Sequence, residues 1–182
     1  MSSIIVLPVD GSAGAAEAAA VAADWAGVKD ARVIVLHVLD RELLEDTARR
    51  RAEVHHVASH GAAMPPWVAN APAELVDMLR PTAAPETEQE ALEEIERRIV
   101  GSVTDILEER GIEEDRIRIL FRDGNVARRI VEVAEEEGAE MIVMGSRGMS
   151  PTAGLLLGSV SERVGQRAPC TVVLARPRET AG

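Results

Sequence analysis

The chain has 182 residues, of which 46% are hydrophobic and 28% are charged, and its formal net charge is −11. This composition is typical of one globular domain with a sizeable core, and the negative charge argues against nucleic acid as a partner. No apolar run reaches the length of a membrane span and the N-terminus lacks the basic flank of a signal peptide, so we expect a cytoplasmic protein without membrane insertion.

Apolar runs and helical periodicities alternate along the chain. The run Ile4–Val9 predicts the first strand, and Ser12 follows as a candidate N-cap of an alanine-rich helix that ends near residue 26. The run Arg32–Leu39 is almost continuously apolar, which is typical of a strand covered on both faces. Further helices are predicted over about 86–110, 125–137 and 158–166, and further strands over 117–121, 140–144 and 171–175. This alternation predicts a doubly wound α/β fold with a parallel sheet and helices on both of its faces.

The segment 40–85 interrupts this rhythm, and we expect it to be an insertion in a single domain that spans 1–182. It holds most of the prolines and three of the four histidines. A lid, a binding surface and a disordered flap all fit such a segment. The spacing of His55, His56 and His60 allows metal binding, but a solvated cluster is favoured because no clear carboxylate or cysteine set completes a site.

Three isolated residues have the chemistry of packed side chains rather than of a reactive site. Trp25 is expected to pack in the core and Trp67 in the insertion, because two tryptophans are too few for a base-stacking surface. The only cysteine, Cys170, stands in an apolar stretch, which predicts a packed thiol.

Glycines follow the fourth predicted strand, in the order Gly145, Gly148 and, after nine further residues, Gly158. A strand that ends in a glycine-rich loop before a helix leaves backbone N–H groups at a positive helix terminus, which favours a phosphate. The glycines could instead serve only a tight turn. No lysine is present in this region, so a phosphate would be held by backbone, hydroxyls and Arg147. Ser159 fits either this role or that of an N-cap.

Two other strand ends could join this loop in one crevice. Ligands of doubly wound sheets bind beyond the carboxyl ends of the strands, where the strand order reverses. If the reversal lies between the first and fourth strands, Asp10 meets Gly145, and Val38 borders the same opening. An acidic corner, an apolar wall and an anion cradle together suit a purine nucleotide. The alternative for Asp10 is a solvated turn aspartate.

The glycine spacing resembles the nucleotide-binding signature of the universal stress protein family. The runs Pro8-Val9-Asp10 and His37-Val38 also fall where that family places its first two strand ends. The resemblance implies the sheet order 3-2-1-4-5 and a site for ATP, with Mg²⁺ or Mn²⁺ bound through its phosphates. The residues that it implies around the nucleotide are Pro8, Val9, Asp10, Val38, Met144, Gly145, Arg147, Gly148, Gly158, Ser159, Val160 and Ser161.

The resemblance also implies a role for each part of this set. Asp10 would lie toward the ribose or the base, and the backbone of Val38 would pair with adenine. Met144 and Gly145 would stand at the ribose and the loop entry. The residues that would surround the phosphates are Arg147, Gly148, Gly158, Ser159, Val160 and Ser161.

The function that these expectations describe is an ATP-binding regulatory protein of the stress response. Its nucleotide would change its conformation or its contact with an unknown protein partner, with little or no turnover. A slow ATPase and a nucleotide-independent interaction module are the alternatives. The apolar last strand, Thr171–Ala175, falls at a sheet edge in the expected order, and an edge of this kind tends to pair with another chain. The resemblance likewise implies a homodimer joined at this strand.

Overall fold

The computed structural model describes residues 3–39, 88–148 and 157–176, with the side chains of the second range described from residue 96. The predicted insertion, with its histidine cluster and Trp67, lies outside the described residues. The elements are β1 Ile4–Val9, α1 Ala13–Lys29, β2 Arg32–Leu39, α2 Glu88–Glu109, a 3-10 turn Glu114–Arg116, β3 Ile117–Asp123, α3 Val126–Glu136, β4 Met141–Gly145, α4 Ser159–Arg167 and β5 Thr171–Ala175.

The five strands form one parallel sheet in the order β3-β2-β1-β4-β5, which confirms the predicted fold class and strand order. The ladder between β1 and β2 runs along the whole of β1, from Ile4 to Val9. The ladder between β1 and β4 holds only at Ile5 and Val6. β1 and β4 are thus not paired with each other toward their carboxyl ends, where the strand order reverses and where such sheets bind ligands.

Apolar residues pack on both faces of this sheet. One cluster joins α1 and α2 to the sheet, and the other joins α3 and α4 to its opposite face. Strand β2 is buried from Val33 to Val38, as its continuous apolar run predicts. Alanines form the buried face of α1, and their small side chains let the helix backbone approach the sheet. These buried alanines are Ala15, Ala18, Ala19, Ala22, Ala23 and Ala26.

The two ends of α1 show which local signals determine the helix. Ser12 is the N-cap, as predicted, and its Oγ accepts a 3.2 Å hydrogen bond from the N–H of Ala15. The helix continues beyond the predicted residue 26 to Lys29. It ends at Asp30, whose φ of 51° is left-handed. Arg116 then donates from Nη2 to the carbonyl oxygens of Ala26 and Ala31, at 2.8 and 2.7 Å.

Some single residues differ from the expectations. The prediction of a core position for Trp25 is wrong, because this side chain lies on the outer face of α1 and is 41% exposed. Cys170 is partly buried and packs against the cluster of α3 and α4. Strand β3 runs two residues beyond its predicted end, and as an edge strand it leaves Ile119 and Phe121 exposed. None of the helices in the described ranges combines the length and the hydropathy needed to cross a bilayer.

Candidate functional site

Ser146 ties the end of β4 to the start of α4. Its N–H donates a 2.8 Å hydrogen bond to the carbonyl oxygen of Ala175 in β5. Its own carbonyl oxygen accepts from the N–H of Gly158 and from the Oγ of Ser161, both at 2.8 Å. This buried residue therefore holds the two ends of the glycine loop together. The sequence analysis passed over it, because a serine between a strand and a glycine loop carries no distinctive signal.

No side chain of the described residues caps the N-terminus of α4. The N-cap is Gly158, so the prediction of Ser159 as a possible N-cap is wrong; Ser159 is the exposed first residue of the helix. The first intrahelical bond runs from the N–H of Glu162 to the carbonyl oxygen of Gly158, at 3.0 Å. The N–H groups of residues 159 to 161 precede this ladder. By contrast, Ser12 and Asn125 cap α1 and α3 with their side chains.

The hydroxyl of Ser161 faces the protein rather than the crevice. The side chain is buried, and its Oγ lies 2.8 Å from the carbonyl oxygen of Ser146 and 2.9 Å from that of Gly158. A hydroxyl carries one proton, and both of these neighbours can only accept it. The backbone N–H of Ser161 can therefore donate to an anion. Its hydroxyl proton is already used in hydrogen bonding within the base of the loop.

Arg147 lies beside the N-terminus of α4. A methyl group placed on Gly158 would stand 3.4 Å from the Cα of Arg147. The Arg147 residue is exposed. The structure thus places the backbone of Arg147 next to the N-cap of the helix whose first N–H groups are the backbone donors.

The backbones of β4 and α1 touch at two glycines. A methyl group on Gly145 would stand 2.9 Å from the backbone carbon of Gly14, and one on Gly14 would stand 2.9 Å from the carbonyl oxygen of Arg147. Real side chains do not approach backbone this closely, so both positions require glycine. The role of Gly14 was missed by the sequence analysis. The only sign of this role in the sequence is that a glycine stands in the first turn of a helix otherwise rich in alanine.

Asp10 meets the glycine loop at Gly148, three residues beyond the Gly145 that the sequence analysis placed opposite it. The Oδ1 of Asp10 accepts a 3.0 Å hydrogen bond from the N–H of Ser12. Its Oδ2 would stand 2.7 Å from a methyl group on Gly148. The turn between Asp10 and Ser12 places Gly11 at a φ of 82°, a left-handed conformation that favours glycine. One carboxylate oxygen of Asp10 therefore supports the turn while the other faces the loop.

Three of the predicted apolar site residues share one face of the sheet. Val38 and Met144 are buried in the cluster of α3 and α4, and Val160 is partly buried against it. Val9 packs on the opposite face, in the cluster of α1 and α2. Pro8 stands opposite Leu36 in the ladder between β1 and β2. The residues predicted for the base thus come from both β1 and β2, at their carboxyl ends.

His37 is a further polar residue at this end of the sheet. It is 8% exposed, and its Nδ1 lies 2.9 Å from the carbonyl oxygen of Val9. The sequence analysis used it only as part of a motif. A histidine in an otherwise apolar strand was the available signal. Within the described ranges, no group of three histidine, cysteine or carboxylate side chains could hold a metal ion.

A shallow apolar groove of about 420 Å³ lies elsewhere on the surface. It runs between α2 and β3 and is lined in part by Val100, Thr104, Ile119 and Phe121. Strands β2 and β1 separate it from β4 and the glycine loop. The groove is therefore no part of the crevice at the strand reversal.

The sequence of this chain matches the model of the universal stress protein family over residues 1–64 and 63–176. A universal stress protein of Methanocaldococcus jannaschii is 32% identical over 94% of this chain and 81% of its own length. One of Bacillus subtilis is 28% identical over 94% of this chain and 97% of its own length. The match to one of Methanothermobacter thermautotrophicus is 52% identical but spans 32% of this chain and 40% of that protein.

Solved structures show the same fold. A universal stress protein in complex with cAMP has a TM-score of 0.57 and 20% identity, and the match covers 97% of this chain and 98% of that one. The protein from Archaeoglobus fulgidus in complex with dAMP has a TM-score of 0.55 and 17% identity, with 96% and 98% covered. Together with the sequence matches, which extend over both halves of the sheet, these likenesses lead to one conclusion: the chain belongs to the universal stress protein family.

Proposed function

We propose that this chain binds ATP in the crevice between the carboxyl ends of β1 and β4. The bound nucleotide changes the conformation of the protein or its contact with a protein partner in the stress response, with little or no turnover. The observation that carries the proposal is the N-terminus of α4, which no side chain in the described part of the chain caps. It stands at the end of a glycine loop that also meets Asp10.

The phosphate half of the proposed site rests on backbone donors. The N–H groups of Ser159, Val160 and Ser161 lie at the positive end of α4 and precede its hydrogen-bond ladder. Arg147 adds a cation at the same terminus. Gly148 and Gly158 themselves add no side chain to the approach. Such a terminus favours an anion with several oxygens over a neutral ligand.

The nucleoside half rests on the strand ends. Asp10 would accept hydrogen bonds from the ribose or the base, and the backbone of Val38 would pair with adenine. Val38 would form the apolar wall, and Met144 and Gly145 would stand at the ribose and the loop entry. Pro8 and Val9 would complete the set at the end of β1. The neighbours with bound cAMP and dAMP support an adenine ligand, since each of them was solved with one.

A divalent ion, Mg²⁺ or Mn²⁺, would bind mainly through the phosphate oxygens. The chain carries a net charge of −11, which opposes the approach of ATP. An ion that lowers the charge of ATP relieves this repulsion. We therefore expect removal of divalent ions with EDTA to weaken the binding of ATP and to leave that of adenosine unchanged.

Calorimetry with ATP, AMP and adenosine tests the proposal. The affinity should decrease in that order, because the helix terminus recognises the phosphates. Arg147→Gln should weaken ATP about fivefold and leave adenosine unchanged, since it removes one charge-assisted hydrogen bond. The matched control is Arg167→Gln at the other end of α4, which should change neither affinity.

Two other results would contradict the proposal. Equal affinities for ATP and adenosine would mean that the α4 terminus does not bind phosphate. If the protein binds none of ATP, AMP and adenosine, the alternative of an interaction module that does not need nucleotide would stand. Phosphate release measured with the bound ATP separates a regulatory protein from a slow ATPase.

The proposed assembly is a homodimer joined through β5. This strand is at the edge of the sheet, and Val172, Val173 and Leu174 are only partly buried. Light scattering should give a dimer. Val173→Pro should produce a monomer, whereas the matched change Ile119→Pro on the opposite edge strand should leave the dimer. Circular dichroism of both variants checks that the fold is kept, and a folded Val173→Pro dimer would contradict the interface.

A further inference from the structure

The imidazole of His37 links the ends of β1 and β2. Its Nδ1 lies 2.9 Å from the carbonyl oxygen of Val9, its partner in the ladder. A carbonyl oxygen can only accept a hydrogen bond, so Nδ1 carries the proton and donates it. On the other side, the ring of Phe121 meets the imidazole edge to face, with the centroids 6.3 Å apart and the planes at 73°. The orientation of the buried imidazole is therefore set from both neighbouring strands.

The carbonyl that His37 holds belongs to the peptide bond that leads into Asp10. Strand β1 pairs with β4 only at Ile5 and Val6, so the last peptide groups of β1 lie beyond that ladder. A peptide unit is rigid and planar, so fixing the carbonyl of Val9 also fixes the direction in which the chain enters Asp10. The carboxylate of Asp10 then accepts from the N–H of Ser12 and faces Gly148.

His37 also precedes Val38 directly in β2. Holding its imidazole against β1 keeps the carboxyl ends of the two strands at a constant separation. The next residues after this link are Asp10, which directly follows β1, and Val38 of β2. Neither the α4 terminus nor Arg147 is among the partners of the imidazole or of the carbonyl in the described residues.

We propose that His37 is a positioning residue for the base and ribose half of the nucleotide site, an inference that rests on the proposed binding of ATP. The imidazole touches no ligand. Its Nδ1–H holds the carbonyl of Val9, and through it the site residues Asp10 and Val38, in their binding arrangement. It leaves the phosphate half of the site unaffected.

The test compares His37→Leu, His37→Asn and the wild-type protein by calorimetry with ATP and adenosine. His37→Leu removes the donor and should weaken both ligands by about tenfold, with their ratio unchanged. The amide nitrogen of asparagine is as many bonds from the backbone as Nδ1, so His37→Asn should restore both affinities to within about threefold of wild type. Ile119→Leu is the control, because it changes an exposed residue of the same edge strand that has no part in holding the imidazole, and it should leave both affinities unchanged.

The ratio separates this role from the phosphate site, and the recovery of affinity in His37→Asn separates it from a general loss of structure. A variant with Arg147→Gln should change the ATP to adenosine ratio, whereas His37→Leu should not. Loss of ATP affinity alone in His37→Leu would overturn the proposal, as would a His37→Asn variant no better than His37→Leu. If the wild-type protein binds neither ligand, the proposed function fails and this inference fails with it. If it binds both and His37→Leu binds equally well, only this inference fails.

A second measurement does not depend on the folding of a variant. Nitrogen NMR of the wild-type imidazole should show a proton on Nδ1 of His37, both free and with saturating adenosine. A neutral ring protonated only at Nε2 in either state would overturn the proposal, because it would leave Nδ1 without a proton to donate.

Discussion

The Ser161 hydroxyl donates a 2.8 Å hydrogen bond to the carbonyl oxygen of Ser146, across the two ends of the glycine loop. That carbonyl also accepts from the N–H of Gly158. The loop is thus closed at its base by groups of the protein itself. A ligand at the α4 terminus would meet a site whose two sides are already joined.

The two serines of α4 should respond differently to replacement by alanine. Ser161→Ala leaves a buried carbonyl with one donor fewer and should lower the free energy of unfolding by about 1 to 2 kcal/mol. Ser159→Ala, at an exposed position, should change it by less than about 0.5 kcal/mol. Urea unfolding followed by circular dichroism measures both. Equal stabilities of the two variants would contradict the role of the Ser161 hydroxyl, and Ser161→Thr should retain most of it.

Two glycines of α1 should respond in opposite directions. Gly14→Ala places a methyl group 2.9 Å from the carbonyl oxygen of Arg147 and should destabilise the protein by about 1 to 3 kcal/mol. At Gly27 no atom lies within 4 Å of the added methyl group, so Gly27→Ala should stabilise the helix by about 0.5 to 1 kcal/mol. Thermal unfolding of both variants measures these two changes in stability. A stabilising Gly14→Ala would show that α1 and β4 do not touch in solution.

Arg116 should contribute to stability through the backbone of α1. It donates to the carbonyl oxygens of Ala26 and Ala31, so Arg116→Met should lower the free energy of unfolding by about 1 to 3 kcal/mol. The control is Arg110→Met, which breaks an exposed ion pair with Asp24 and should cost less than about 1 kcal/mol. Denaturant titrations of the two variants should differ clearly. A loss as large in Arg110→Met would mean that charge, and not the capping of carbonyls, is the cause.

Cys170 should react slowly with alkylating reagents. Burial raises the pKa of its thiol, because the thiolate loses solvation against the cluster of α3 and α4. The thiolate is the reactive form, so less of it is present at a given pH than in an exposed cysteine. The rate with iodoacetamide should still be rising above about pH 8.5, the ordinary pKa of cysteine. A rate that levels off below that pH would contradict the packed thiol.

The local pattern predicted each described strand and most of each described helix. Continuous apolar runs and helical spacing depend on near neighbours, and so do caps such as Ser12. Helix ends were less predictable. The end of α1 depends on Asp30 in a left-handed conformation and on Arg116, which is far away in sequence. The predicted exposure of single side chains failed where it depended on the face of the helix, as for Trp25.

The candidate site also has features that the sequence predicts and features that it does not predict. The sequence by itself determined where β1 and β2 end and where the glycines stand, because these follow from runs of adjacent residues. Only the tertiary structure decided that Gly14 touches Gly145, that His37 holds the carbonyl of Val9 and that Ser146 closes the loop. Each of these contacts joins residues that are well separated along the chain. Such a contact forms only when the packing of the helices on the sheet sets the distance between their backbones, and no local pattern of residues encodes that distance.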